Sequence, residues 1–289
     1  MKQGDLVVRK SYGGDIVFRI AELAGSAALL RGKDYRLLAD APLADLVPVR
    51  DPDSLSGNRL ARIQAHESVR RMREERMRIS ERAGLSGSSG ERHGYFEMPG
   101  KVLHLDGDLH YLRKSMQIYA HLKVPAEGYH CHESQMPEML MRLLPRVRPN
   151  IVVITGHDGV IKHRSNLHQL TSYKNSQNFV NAVAVARAYE RDLDALNIVA
   201  GACQSHFEAL MRAGANFASS PARIMIHALD PVYVAVRSAF TPFRDTINVL
   251  DVVTHTISGI QGVGGIETRG SYRIGMPNPQ WQQTNVNIV

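Results

Sequence analysis

Ile198-Val199-Ala200-Gly201-Ala202-Cys203-Gln204-Ser205-His206 reads as a short buried strand, a tight turn of small residues and the start of a helix. Cys203 stands at the turn. The positive end of the helix that follows is expected to lower its thiol pKa and favour the nucleophilic thiolate. A second stretch, Ile151-Val152-Val153-Ile154-Thr155-Gly156-His157-Asp158-Gly159, is again an apolar run that ends in small residues, with one histidine where the strand stops. As parallel strands of one sheet, the two runs bring His157 and Cys203 out at the same carboxyl edge. Open α/β sheets bind their ligands there. A lone cysteine after an apolar run is more plainly a buried structural residue. Its turn position and the paired strand-end histidine argue for a nucleophile with a general base.

Working outward, residues from 95 onward alternate strand and helix. Strands are expected at 101–105, 126–131, 151–155, 198–202 and 223–227. Helices are expected at 109–122, 135–144 (closed by Pro145), 178–193 and from 207. Such alternation argues for a mostly parallel sheet covered on both faces. Beyond Asp230, residues 246–257 read as helix and 259–265 as a flexible glycine-rich turn. Upstream, 1–50 holds five short β-rich runs, with Gly13-Gly14-Asp15 as a hairpin signal. Five strands in so short a span suggest a small all-β, SH3-like barrel. Residues 51–94 form a basic helix at 58–83 and a Gly/Ser linker at 84–90. The expected domains are therefore 1–50, 51–94 and 95–289.

Composition narrows the class. The 289 residues carry a net charge of +7, are 44% hydrophobic and include two cysteines. No apolar run approaches the ~18 residues of a membrane span. Nor does the N-terminus have the apolar core of a secretory signal. Two cysteines make no disulfide framework, so a reducing compartment, the cytoplasm, is expected. Residues 58–83 hold eight Arg and four Glu. That segment reads first as a solvated helix, then as a surface for an acidic partner. It has no aromatic residue to stack on bases, so nucleic acid is not expected as a partner. His130-Cys131-His132-Glu133 has metal-ligating side chains, but strand alternation sends neighbours to opposite faces. No metal and no cofactor are expected. His206 is the alternative base to His157.

The opening from Gly4-Asp5 to Leu38-Ala39 and five further stretches bear a family resemblance. The five are Met98-Pro99-Gly100-Lys101-Val102-Leu103-His104-Leu105-Asp106-Gly107-Asp108, Ile154-Thr155-Gly156-His157-Asp158, the run 200–221, His227-Ala228-Leu229-Asp230-Pro231-Val232-Tyr233 and Gly264-Gly265-Ile266-Glu267-Thr268-Arg269-Gly270. A block ending in His-Gly, with a second ending in Ala-Cys about 50 residues on, is the pattern of caspase-like cysteine peptidases. Across nearly the whole chain the sequence is more closely similar to the YabG family of sporulation-specific proteases. That resemblance implies a caspase-like αβα sandwich and cleavage after arginine. It implies action on spore coat and cortex-associated proteins in the mother cell of a sporulating bacterium. The backbone N–H of Cys203 is a natural oxyanion donor. The caspase-like pattern takes a second from the Gly after the His. Here Asp158 stands in that place and Gly159 follows, so either is a candidate. Asp106 and Asp108 end the strand where caspase-like enzymes place a residue of the pocket for the side chain before the scissile bond. A carboxylate there would pair with a guanidinium through two hydrogen bonds. Asp230 is a second candidate for this pocket and Glu267 a third. An arginine-specific enzyme would also find bonds to cut in itself between Arg70 and Arg82. Two other readings remain open: a non-catalytic scaffold or binding protein in coat assembly, which Cys203→Ala would leave intact, and a nucleic-acid-associated regulator, which salt-dependent DNA binding would reveal.

Overall fold

The computed structural model describes residues 1–51, 56–82, 96–161, 164, 166–276 and 287–288. The expected linker at 84–90 lies outside them. The chain opens with β1 (Leu6–Arg9), β2 (Phe18–Ala24), β3 (Ala27–Gly32), β4 (Leu38–Pro42) and β5 (Leu46–Pro48). These form one antiparallel sheet in the order β4-β3-β2-β1-β5. Its alternate residues Phe18, Ile20, Ala28 and Leu30 build a small separate core. Helix α1 (Ser56–Arg82) follows. Met72 is buried and Val69 packs beside it on the larger core downstream.

The remainder runs β6 (Phe96–Met98), β7 (Val102–Asp106), α2 (Leu109–Leu122), β8 (Ala126–His130), α3 (Met136–Val147), β9 (Ile151–Thr155), α4 (Ser176–Tyr189), β10 (Asn197–Ala200), α5 (Phe207–Arg212) and β11 (Phe217–Ser219). Then come α6 (Asp230–Phe240), β12 (Thr246–Ile247), α7 (Val249–His255), α8 (Gly259–Gly262), β13 (Val263–Gly265), β14 (Thr268–Arg269), β15 (Arg273–Gly275) and β16 (Asn287–Ile288). Seven strands make the central sheet, in the order β13-β11-β10-β9-β7-β8-β16. All neighbours are parallel except β13, which pairs antiparallel at one edge.

Both faces of this sheet are covered. Val102, Ile151, Val153 and Val199 face α2 and α6, whereas Leu103, Leu105, Val152, Ile154 and Ile198 face α3, α4 and α5. Adjacent residues on each strand thus serve opposite cores, which is why the strands read as unbroken apolar runs. After β7 the chain adds β8 on one side, and β9 then returns to the other side of β7. The strand order reverses between β7 and β9, and a crevice opens at their carboxyl ends.

Several expected elements are displaced. The fifth parallel strand is 217–219, not 223–227. Residues 223–227 form no strand of the sheet, although Tyr35 makes an isolated antiparallel bridge to His227. The glycine-rich 259–265 is ordered as α8 and edge strand β13. Helix α3 runs through Pro145 to Val147 instead of closing there. Only 249–255 of the expected helix at 246–257 is helical.

Candidate active site

Register places the site. Ile154 pairs with Ala200 and Asp106 with Thr155. His157 and Cys203 each lie three residues beyond the first pair. Asp108 and His157 each lie two beyond the second. Asp108, His157 and Cys203 therefore emerge side by side past the carboxyl ends of β7, β9 and β10, at the switch point.

Asp108 has two tasks. Its Oδ1 caps α2 by accepting from the N–H groups of His110 (2.8 Å) and Tyr111 (3.3 Å). Its Oδ2 lies 2.8 Å from His157 Nε2 and 2.9 Å from Arg31 Nε. Burial would raise this carboxyl, but the His157 hydrogen bond and the charges of His157 and Arg31 hold it below the usual carboxylate range. A carboxylate on Nε2 fixes the proton there and leaves Nδ1 free for chemistry. Nδ1 points to the carbonyl oxygen of Arg36, 3.4 Å away.

Glu133 holds the histidine's main chain. Its Oε1 accepts from the His157 N–H at 2.8 Å. The buried Glu133 lies so close to Gly107 and Gly156 that a Cβ at either position would collide with its carboxylate. These glycines follow β7 and β9 because a side chain there would displace Glu133. In the sequence Glu133 suggested at most a weak metal ligand. Among the described residues no group of three or more His, Cys, Asp or Glu side chains is placed to hold a metal.

The cysteine turn is tied to the histidine loop through Asp158. That carboxylate accepts from Ser205 Oγ (2.8 Å), Ser176 Oγ (2.5 Å) and the N–H groups of Asn175 (2.8 Å) and Gly159 (2.9 Å). Burial nonetheless pushes it above the usual carboxylate range. Ser205 in turn accepts from the Ala202 N–H at 2.9 Å. Gly159 N–H, a candidate oxyanion donor, is thus already engaged. Gly201 turns the chain at φ +106°, and a Cβ there would stand 2.9 Å from Leu210 Cδ1.

Cys203 departs from expectation. Helix α5 begins only at Phe207, capped by the His206 side chain, so its N-terminus does not activate the thiol. Cys203 is 1% exposed. Burial pushes the thiol up to about 11, against the opposing pull of the Ile226 N–H (3.3 Å), the Arg36 charge and the Arg36 main-chain N–H. His206 is no alternative base here: its Nδ1 accepts from Ala209 N–H and its Nε2 contacts His168 O.

The four pocket candidates separate. Asp106 is fully buried and takes a two-pronged pair from Arg36, with Nη1–Oδ1 and Nη2–Oδ2 both 2.8 Å. Burial opposes ionisation, yet Arg36 and His104 hold this carboxyl far below its usual range. Asp108 serves the histidine instead. Asp230 accepts from the N–H groups of His227 (3.2 Å), Ile257 (2.8 Å) and Ser258 (3.3 Å). It thereby fixes the loop after β11, with burial pushing it up to about 6. Glu267 is exposed and pairs with Asn248.

The YabG peptidase U57 family model matches residues 2–277, and the chain belongs to that family. The structure is thus that of a peptidase whose candidate site lies at the carboxyl edge of a mostly parallel sheet. The chain is 46% identical to the sporulation-specific protease YabG of Bacillus subtilis (strain 168) over 281 residues, 95% of this chain and 97% of that one. No solved structure matches. Among the described residues no helix is long and apolar enough to cross a membrane.

Proposed function

We propose that the chain is a cysteine endopeptidase that cuts after arginine and processes spore coat and cortex-associated proteins in the mother cell during sporulation. The observation that carries this reading is that Cys203 and His157 both touch the main chain of one residue, Arg36. The Arg36 N–H faces the thiol and the Arg36 C=O faces His157 Nδ1, while the Arg36 side chain pairs with Asp106. Cys203 adds to the carbonyl carbon of the scissile peptide. His157 removes the thiol proton and passes it to the leaving amine, and water then hydrolyses the thioester. Asp108 orients the imidazole and stabilises the imidazolium. Asp106 selects arginine. Main-chain N–H groups of Cys203 and Asp158 serve the oxyanion.

The sheet order supports a caspase-like αβα sandwich over 95–289. The β unit of 1–50 is read as an SH3-like barrel, joined through 51–94. Self-cleavage within 70–82 would require local unwinding of α1, where Met72 is buried and Arg76 donates to Leu122 O at 3.2 Å. Matched fluorogenic peptides ending in Arg, Lys, Asp or Leu test the reading. The arginyl peptide alone should turn over, and both Cys203→Ala and His157→Ala should abolish its turnover. Undiminished turnover in Cys203→Ala would remove the reading.

A further inference from the structure

We infer that residues 34–36 occupy the substrate cleft as the enzyme's own arginyl peptide, keeping it latent until this segment withdraws. The inference rests on the peptidase reading above.

The segment is the tip of the β3–β4 connection. It meets the loop at 227–228 through main-chain contacts and one isolated bridge. Ala228 N–H donates to Asp34 O at 2.8 Å, and Tyr35 bridges antiparallel to His227. Arg36 Nε donates to Ala228 O at 3.2 Å. Such main-chain pairing fixes the depth of a peptide, and one side-chain pocket then fixes its register. Arg36 supplies the register. Its side chain is fully buried, its guanidinium pairs with Asp106, and its charge sits 5.0 Å from the centre of the Tyr111 ring. The Tyr111 hydroxyl reaches the carbonyls of both Gly32 and Tyr35. Lys114 Nζ donates to Lys33 O at 2.9 Å.

This contact closes the site. Cys203 is 1% exposed and His157 7%. An incoming peptide would need the space around Cys203 and His157 and the carboxylate that Arg36 fills. The segment is held as a ligand rather than presented as a substrate. The chain turns tightly at Arg36, where Leu37 N–H donates to Tyr35 O at 2.7 Å, and Gly32 N–H donates to Leu37 O at 2.8 Å. The peptide after Arg36 is therefore curled back into the N-terminal sheet and not extended across the thiol. Gly32 permits the turn, because a Cβ there would collide with Tyr35 O. Beside the segment lies a cavity of about 500 Å³, bordered by Lys33, Asp34, His66, His227 and Tyr233.

The test uses the full chain and a peptidyl-arginine chloromethyl ketone, with the leucine counterpart as control. Labelling of Cys203 is timed by peptide mapping in wild type, Arg36→Ala and Arg36→Lys, each checked for folding by circular dichroism. Labelling of Arg36→Ala by the arginyl ketone should be at least tenfold faster than that of wild type. Arg36→Lys should fall between, and the leucyl ketone should gain much less. Arg36→Lys keeps a cation against Asp106 and carries the test if Arg36→Ala does not fold. Equal rates in all three proteins would overturn the inference. If those equal rates are fast and prefer arginine, the peptidase reading stands without the latency. If no folded protein labels at Cys203, both fail.

Discussion

Asp108 gives one carboxylate oxygen to the first turn of α2 and the other to His157. Asp108→Asn keeps the cap but presents an amide to Nε2, which favours the wrong tautomer. We expect kcat for the arginyl peptide to fall by roughly 10²–10⁴-fold with KM little changed, measured by steady-state kinetics. A matching rise in KM instead would place Asp108 in substrate binding. The thiol makes a second prediction. With Cys203 held at about 11, iodoacetamide labelling of the wild-type chain, followed at that residue by peptide mapping, should rise only as pH approaches that value. The raised value also fixes a sign. A group more basic in the closed, folded state than in the unfolded chain stabilises closure below its unfolded pKa, and that stability is lost as pH rises through the folded one. Closure should therefore weaken between about 9 and about 11, and Arg36→Ala should move the labelling midpoint down. That Cys203 and His157 lie past the carboxyl ends of two neighbouring parallel strands was legible in the sequence, since two apolar runs ending in small residues carry them. The thiol's state was not. It depends on burial by Arg36, a residue 167 positions away (203 − 36).

At the scale of elements, β9 and β10 lie close to where the sequence put them, because strands buried on both faces leave an unbroken apolar signature. β11 was missed because its three residues, Phe217–Ser219, are too few to show a period. The apolar Ile224-Met225-Ile226 within the expected strand 223–227 mimicked a strand, although the segment instead flanks the cysteine and bridges to Tyr35. Pro145 did not stop α3, whose apolar face is buried against the core through Leu143, Leu144 and Val147. Glu133 was legible only as a ligand type, because its role depends on two glycines that precede and follow it by more than 20 residues. Gly156→Ala tests that role. Its Cβ would stand 2.5 Å from Glu133 Oε1, so Glu133 must move and release the His157 N–H. Overpacking of this kind costs about 1–3 kcal/mol. Urea denaturation should show that loss, and peptide turnover should fall with it. An unchanged midpoint and unchanged turnover would mean that Glu133 has room the structure does not show.

For the whole molecule, the N-terminal sheet and the seven-stranded sheet meet at a buried ion pair between residues 70 positions apart. Nothing in the local sequence of Tyr35-Arg36-Leu37 announces a partner at Asp106, so this contact was not legible in the sequence. A double-mutant cycle on Arg36→Ala and Asp106→Ala should give a coupling of about 1–3 kcal/mol in urea denaturation. Additive losses would deny the contact. The same pair links stability to activity: removing Arg36 should weaken the fold while freeing the cleft.

The most direct test of the central claim is the turnover of an arginyl against a leucyl peptide amide by Arg36→Ala and by Arg36→Ala/Cys203→Ala. A nucleophilic Cys203 beside an arginine pocket predicts turnover of the arginyl peptide in the first protein and none in the second. Equal turnover in both proteins, or no preference for arginine in the first, would contradict it.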